Sequence, residues 1–269
     1  MINNNSKIVY YYQTFIGLDN LFKTNCKTVT HLNISSIHFG KNSDNSNYIH
    51  LNNYDPNNST FDKLWQQCEE ASKNCEIYLM IGGAGCAYET LFSDFESYYS
   101  LLSNLIKSKR FITGIDLDIE ENVNLEDIKM FMNRLHKDFD YLKFSFAPIA
   151  SSLTNDTPGM GGFIYKDLYN SNEGKLISHF NVQSYEEYSL NIFDEIVNNG
   201  YPSNMIVFGM ISSQDINNNI NVVEEIYKKY NNSLGGVFNW EYFDSPPSAP
   251  KNPETWAEIM SHILNRINK

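Results

Sequence analysis

Positive charge is in short supply in this 269-residue chain. Lys and Arg total 20 against 32 Asp and Glu, for a formal net charge of -12 and a pI of about 4.9. A phosphate backbone repels such a chain, which argues against general nucleic-acid binding. Neutral and cationic ligands remain compatible, and the charge in any case keeps the chain soluble. Cysteine is also sparse. Cys26, Cys68, Cys75 and Cys86 show no CxxC spacing, and four thiols in a chain this long make neither a zinc module nor a disulfide scaffold. Cys68 and Cys75 are close enough in sequence to be bridged, and sequence does not decide it. No apolar run is long enough to span a membrane. The N-terminal "MINNNSKIVYYYQTF" has no secretory h-region, so the expectation is an intracellular chain or a mature form whose signal has been removed. No linker, charge block or shift in composition divides the sequence. "MIGGAGCAYE" is glycine-rich without being GxGxxG, so a dinucleotide-binding open sheet is disfavoured.

What is present is a sizeable apolar fraction, 42%, and many rings: 18 Tyr, 17 Phe and 3 Trp. Many of these rings fill a core. A surplus also suits carbohydrate clefts, where sugar faces stack on aromatic rings. Asn runs such as "DINNNINV" read as solvated loops, and Asn-x-Ser/Thr sites at Asn58 and Asn155 arise by chance in so Asn-rich a chain.

Strand-like runs alternate with helical patterns along the whole sequence. The strands are "KIVYYYQ", "TVTHLNISSIHF", "EIYLMIGG", "ITGIDLDIE", "YLKFSFAP", "HFNVQSY", "MIVFGMI" and "GGVFNWEYF". Helical periodicity marks 61–74, 88–109, 124–139, 190–200, 222–232 and 252–266, with apolar residues three and four apart. Ser59 or Thr60, Asn124 and Asn252 are N-cap candidates, and Pro253 suits a first helical turn. Eight strand–helix units in this length predict a parallel (β/α)₈ barrel covered on both faces.

One segment stands apart. In "TGIDLDIEE", Asp116, Asp118 and Glu120 occupy every second position, and Ile115, Leu117 and Ile119 fill the gaps. On a strand the acids share one face and lie about 6–7 Å apart. An edge strand with a solvated acidic face would show the same alternation. The central position of the run, and the absence of basic residues within it, place the acids inside the barrel instead. Buried carboxylates at this spacing cannot all ionise freely, so at least one must have a raised pKa. Glu120 falls at the C-terminal rim, where barrels place their chemistry.

These residues resemble the DGxDxDxE signature of glycoside hydrolase family 18, the chitinase family. The other pieces agree in order. "MIGGAG" is similar to the SxGG segment of the third barrel strand and "FSFAP" to the end of the fifth. "NVQSY" is similar to the QxY of the sixth, and "GGVFNWEYFD" to the Trp-bearing eighth. The likeness spans nearly the whole chain and is greatest to the compact, hevamine-like branch. It implies one catalytic barrel domain over 1–269, with no room between Ser213 and Val222 for the α+β insertion of larger chitinases.

The resemblance also implies a substrate-assisted, retaining mechanism without metal or cofactor. Glu120 would be the acid and then the base. Asp118 would hold the acetamido N–H, Asp116 would share a proton with Asp118, and Tyr185 would bond the acetamido oxygen. Trp240 would form the sugar floor. Gln183, Tyr11 and Gly83 would complete the substrate site, with Gly82 and Gly83 turning the backbone beside the acids. Alternation alone does not decide which of Tyr10, Tyr11 and Tyr12 points inward. The resemblance implies chitin or N-acetylglucosamine oligosaccharides as partners, a monomer, no nucleic acid or membrane, and secretion as in similar proteins. It also implies non-proline cis peptides at Ser35–Ser36 and Trp240–Glu241.

Three positions depart from the family pattern. Thr113 replaces the first Asp, at the base of the strand. Met80 replaces the Ser before the glycines, so Asp116 is expected to rely on Ser145. Glu186 stands where Asp or Asn is common. Two alternatives stay open: an endo-β-N-acetylglucosaminidase acting on N-glycan cores, and an inactive chitinase-like carbohydrate-binding protein.

Overall fold

The computed structural model describes residues 6–23, 27–230 and 233–265. Cys26, the first five residues, and the ends of two expected helices at 231–232 and 266 lie outside the described residues. Eight parallel strands close on themselves: β1 (Lys7–Tyr12), β2 (His31–Lys41), β4 (Glu76–Gly82), β5 (Ile112–Asp118), β6 (Lys143–Phe146), β7 (Ile177–Gln183), β8 (Ile206–Ile211) and β9 (Gly236–Trp240). Each pairs with the next, and β1 pairs in parallel with both β2 and β9 to complete the ring. This is the expected (β/α)₈ barrel. The helix Ile216–Lys229 follows β8 after four residues, so no inserted module lies between them.

Some local expectations needed correction. A ninth strand, β3 (Asn47–Leu51), folds back antiparallel on β2 after the polar turn "NSDNS". The run 88–109 is two helices, Tyr88–Ser93 and Phe95–Ser108, broken at Asp94. Asn58, rather than Ser59 or Thr60, caps the turn before the helix Asp62–Ala71, with its side chain accepting from the Thr60 N–H. Asn124 caps Leu125–Asp138 as expected. The last helix begins at Thr255, three residues after Asn252, so Pro253 precedes it. Cys68 and Cys75 are both buried, and no disulfide joins them.

The alternation along the strands creates two apolar cores. Ile115, Leu117 and Ile119 of the acidic segment join the large outer core between strands and helices. Burial of each stabilises the fold by about 1.5–3 kcal/mol. The smaller inner core holds Val9, Tyr11, Met80, Val207 and Phe238, with Tyr185 and Trp240 packed above it. Tyr11 is thus the inward tyrosine of its triplet, while Tyr10 and Tyr12 face the outer core. Bulky rings fit inside because facing residues are glycines. A Cβ on Gly114 would lie 2.4 Å from the Tyr78 ring, and one on Gly209 would lie 1.9 Å from Phe238.

Candidate active site

The three acids line up on the inward face of β5 and its extension. β5 itself ends at Asp118, so Glu120 stands two residues beyond it, on the rim. Asp116 is fully buried and Asp118 is 5% exposed, whereas Glu120 is half-buried. The row passes from a dry interior to the mouth of the barrel.

Asp116 is surrounded by donors. Tyr11 Oη donates to its Oδ2 at 2.8 Å, and Asn181 Nδ2 donates to Oδ1 at 3.0 Å. The Ser145 hydroxyl donates to Oδ1 in a short bond. Strand pairing sets this up, because Met80, Asp116 and Ser145 are aligned across β4, β5 and β6. Met80, in the usual serine position, contributes only apolar contact, and Ser145 supplies the hydroxyl as expected. Burial pushes the Asp116 pKa up, and hydrogen bonds from Ser145, Tyr11 and Asn181 oppose that rise. Ser145→Ala leaves a buried carboxylate short of one donor. It is expected to destabilise the protein at neutral pH by about 1.5–3 kcal/mol, read from the urea midpoint.

Asp118 has much less support. Gln183 Nε2 donates to its Oδ1 at 3.1 Å, and also to the Ala147 carbonyl at 2.8 Å. Its pKa is raised well above the usual carboxylate range, first by burial, then by the charges of Glu120 and Asp116. Burial and the two neighbouring acids thus favour the neutral form of Asp118, while the donors around Asp116 favour its charged form. Burial raises Glu120 too. Gln183 braces Asp118, its two amide hydrogens going to that carboxylate and to the Ala147 carbonyl.

Other expected residues gather around this row. Tyr185 lies just past β7, its ring 6.2 Å from Phe238, and its pKa is raised by burial and then by Asp118, Glu120 and Asp116. Trp240 ends β9 and tilts against Tyr11 at 5.3 Å. Gly82 and Gly83 have φ of +94° and +77°. A Cβ on Gly82 would lie 2.2 Å from the Asp118 carbonyl oxygen, and one on Gly83 would lie 2.7 Å from Met80 Cε. The Gly83 N–H donates to that same carbonyl at 2.9 Å, so the glycine turn is seated against the acidic strand. Thr113 is half-buried, and its hydroxyl bridges Ile77 across the β4–β5 irregularity. Cis peptides occur at Ser35–Ser36 and Trp240–Glu241.

Two supporting residues escaped the sequence reading. Glu121 follows Glu120 beyond the end of β5. Its carboxylate accepts from the backbone N–H groups of Ala87, Tyr88 and Glu89, anchoring the helix that follows the glycine turn. Glu241 is 7% exposed and accepts from the N–H groups of Gln13 and Thr14, tying the end of β1 to Trp240. An Ala-x-Glu pattern near a helix start is a weak signal for the first contact, and no local signal exists for the second. Among the described residues, no group of three His, Cys, Asp or Glu is arranged to hold a metal ion. None of the described helices is long and apolar enough to cross a membrane.

No family model and no curated protein matches the chain by sequence. Solved structures do match. A fungal endo-beta-N-acetylglucosaminidase from glycosyl hydrolase family 18 superposes with a TM-score of 0.86 at 28% identity, covering 97% of this chain and 98% of that one. A chitinase from Aspergillus fumigatus gives 0.82 at 27%, covering 95% and 98%. In fold and in the acidic signature the chain is similar to these family 18 structures. A family 18 chitinase from Pseudoalteromonas aurantia, at 18% identity and a TM-score of 0.67, shares the barrel fold over 94% of this chain and 100% of that one. The superpositions cover 94–97% of this chain and 98–100% of those structures.

Proposed function

We propose that this protein is a chitinase-type glycoside hydrolase that cleaves β-1,4-linked N-acetylglucosamine chains with retention of configuration. The observation that carries the proposal is the inward row Asp116–Asp118–Glu120. Its two inner acids are buried, and its outer acid stands half-buried at the rim. In this reading the row, Tyr185, Trp240, Gln183, Tyr11 and Gly83 form the site of a single catalytic domain.

The mechanism needs no protein nucleophile. Glu120 gives its proton to the glycosidic oxygen as the bond to C1 breaks, and the acetamido carbonyl oxygen of the same sugar attacks C1. The oxazolinium ion that forms carries positive charge on the acetamido group. Asp118 passes the proton it shares to Asp116 and, as a carboxylate, accepts the acetamido N–H and balances that charge. Tyr185 donates its hydroxyl to the acetamido oxygen, and Trp240 supports the ring. Glu120, now a carboxylate, takes a proton from water as the water attacks C1 from the face the leaving group left. Two inversions give net retention.

The test follows the first product of chitin-tetramer cleavage by proton NMR. The β-anomer should appear first, and a fully deacetylated tetramer should remain intact, because it lacks the internal nucleophile. An α-anomer first, or cleavage of the deacetylated chain, rules out the mechanism. A high-mannose glycopeptide is included because a family 18 endo-beta-N-acetylglucosaminidase superposes so well. Release of its glycan with chitin oligomers untouched would move the substrate to N-glycan cores.

A further inference from the structure

Two cavities flank the acidic row, and their chemistry is opposite. One, of about 500 Å³, sits over the ends of β1, β2 and β4. It is lined by Gln13, Ser36, His38, His50, Asn52 and Cys86 among others, and no carboxylate lines it. The second, of about 420 Å³, sits over the ends of β6 and β7 and shares Gln183 and Tyr185 with the candidate site. Ile149, Ala150 and Ile192 give it apolar walls, while Glu186 and Glu187 line it with no Lys, Arg or His. Ser184 lines it as well; it is 1% exposed, and its hydroxyl has no hydrogen-bond partner.

We infer that this second cavity binds a hexosamine with a free, protonated 2-amino group, so that the enzyme prefers partially deacetylated chitin. The inference rests on the proposed function and goes beyond it. The substrate-assisted step requires an acetamido group only on the sugar that is attacked. The neighbouring sugar is chemically unconstrained, and its selection falls to the cavity that receives it. An apolar wall suits a pyranose face. Exposed Glu186 has no recorded partner, and Glu187 accepts one bond from Ser189 Oγ at 2.7 Å, leaving its other oxygen available. The unsatisfied Ser184 hydroxyl can serve a sugar oxygen or an ammonium hydrogen. Gln214 Nε2 donates to the Ser184 and Tyr185 carbonyls, so the wall carrying these groups is braced. No cation competes within the cavity.

The test compares the protein with an E186Q/E187Q double variant on a partially deacetylated chitin polymer, sequencing the two sugars that flank each cut. Fully acetylated oligomers run in parallel. The expected result is N-acetylglucosamine on one side and glucosamine enriched on the other, about fivefold to tenfold at low salt and much less at high salt. The double variant should bring that flank back to the composition of the polymer. A flank matching the bulk polymer in the parent protein, or an enrichment unchanged in the variant, overturns the inference while cleavage of acetylated oligomers leaves the proposed function standing. If nothing is cut, the proposed function fails, and calorimetry with a glucosamine tetramer still reads the cavity. Equal affinity of the parent and the double variant for that tetramer overturns the site.

Discussion

Glu120→Gln is expected to lower the turnover of chitin oligomers by about 10²–10⁴-fold with little change in their affinity. Glutamine keeps the shape of the side chain, but it has no acidic proton to give to the leaving oxygen and cannot deprotonate water. The rate also carries a pH signature. Burial holds the Glu120 pKa above its usual value, so the acid form persists into milder pH than a solvated glutamate allows. Activity should fall as pH rises through that raised pKa, because the proton donor is lost. The macroscopic midpoint belongs to the coupled row rather than to Glu120 alone, since Glu120 also raises Asp118. In Glu120→Gln the residual rate should lose this alkaline limb. Steady-state rates measured from acid to alkaline pH check both points. Turnover within tenfold of the parent, or an alkaline limb that survives the substitution, would remove Glu120 from the role of acid. The fold should be unaffected, because Glu120 is half-buried and stands outside the β5 ladder.

The acidic segment was legible because its period of two matches the barrel's division into two cores. Ile115 and Leu117 are fully buried in the outer core, and Asp116 and Asp118 face the inner one. Ser145 was legible for a related reason. Met80 has no hydroxyl for the innermost acid, and strand alignment leaves the residue on the other side of Asp116 to provide one. Supports made through the tertiary fold were not legible. Gln13 and Glu241 are 228 positions apart, and nothing in either neighbourhood announces the other. The contact of Glu121 was not legible because strand reasoning stops at the end of the strand, whereas its partners are N–H groups at the start of the helix Tyr88–Ser93, 32 to 34 positions earlier. The β3 hairpin was missed because five residues after a polar turn offer too short an alternation to distinguish from a loop. The Asp94 break was missed because apolar periodicity continues across it.

Acid should unfold this protein earlier than its many carboxylates suggest, and the reason lies at the opposite end of the barrel from the site. His31, 5% exposed on β2, and fully buried His179 on β7 meet edge to face at 5.4 Å, with the Tyr78 ring against both. Burial depresses both imidazoles, with Lys7 and Lys143 adding to the effect: His31 falls to about 3 although the Glu76 carboxylate lies 3.7 Å from its Nε2, and His179 lies well below its usual value. The unfolded chain has ordinary histidines near pH 6.5, so between there and the folded values it binds protons that the native state refuses. Stability is therefore flat above the unfolded pKa and falls as the pH drops below it, by roughly 1.4 kcal/mol per pH unit for each ring. Between pH 6.5 and 4.5 the pair removes up to about 5 kcal/mol, a large part of a typical total of about 5–15 kcal/mol. Asp116 and Asp118 act in the other direction. Their raised folded values mean that stability is lost as pH rises through them and recovered in acid, so the site partly offsets the base of the barrel. Urea midpoints measured from pH 7 to pH 4.5 should fall steadily in the parent. His179→Gln removes one of the two proton sinks and should reduce the slope by about half between pH 6 and 5, whatever its cost at neutral pH. A midpoint that stays level to pH 5, or an unchanged slope in the variant, would mean that the imidazoles accept protons in the folded barrel. A variant that is less stable at pH 7 yet shows the shallower slope would still locate the acid sensitivity in this ring pair.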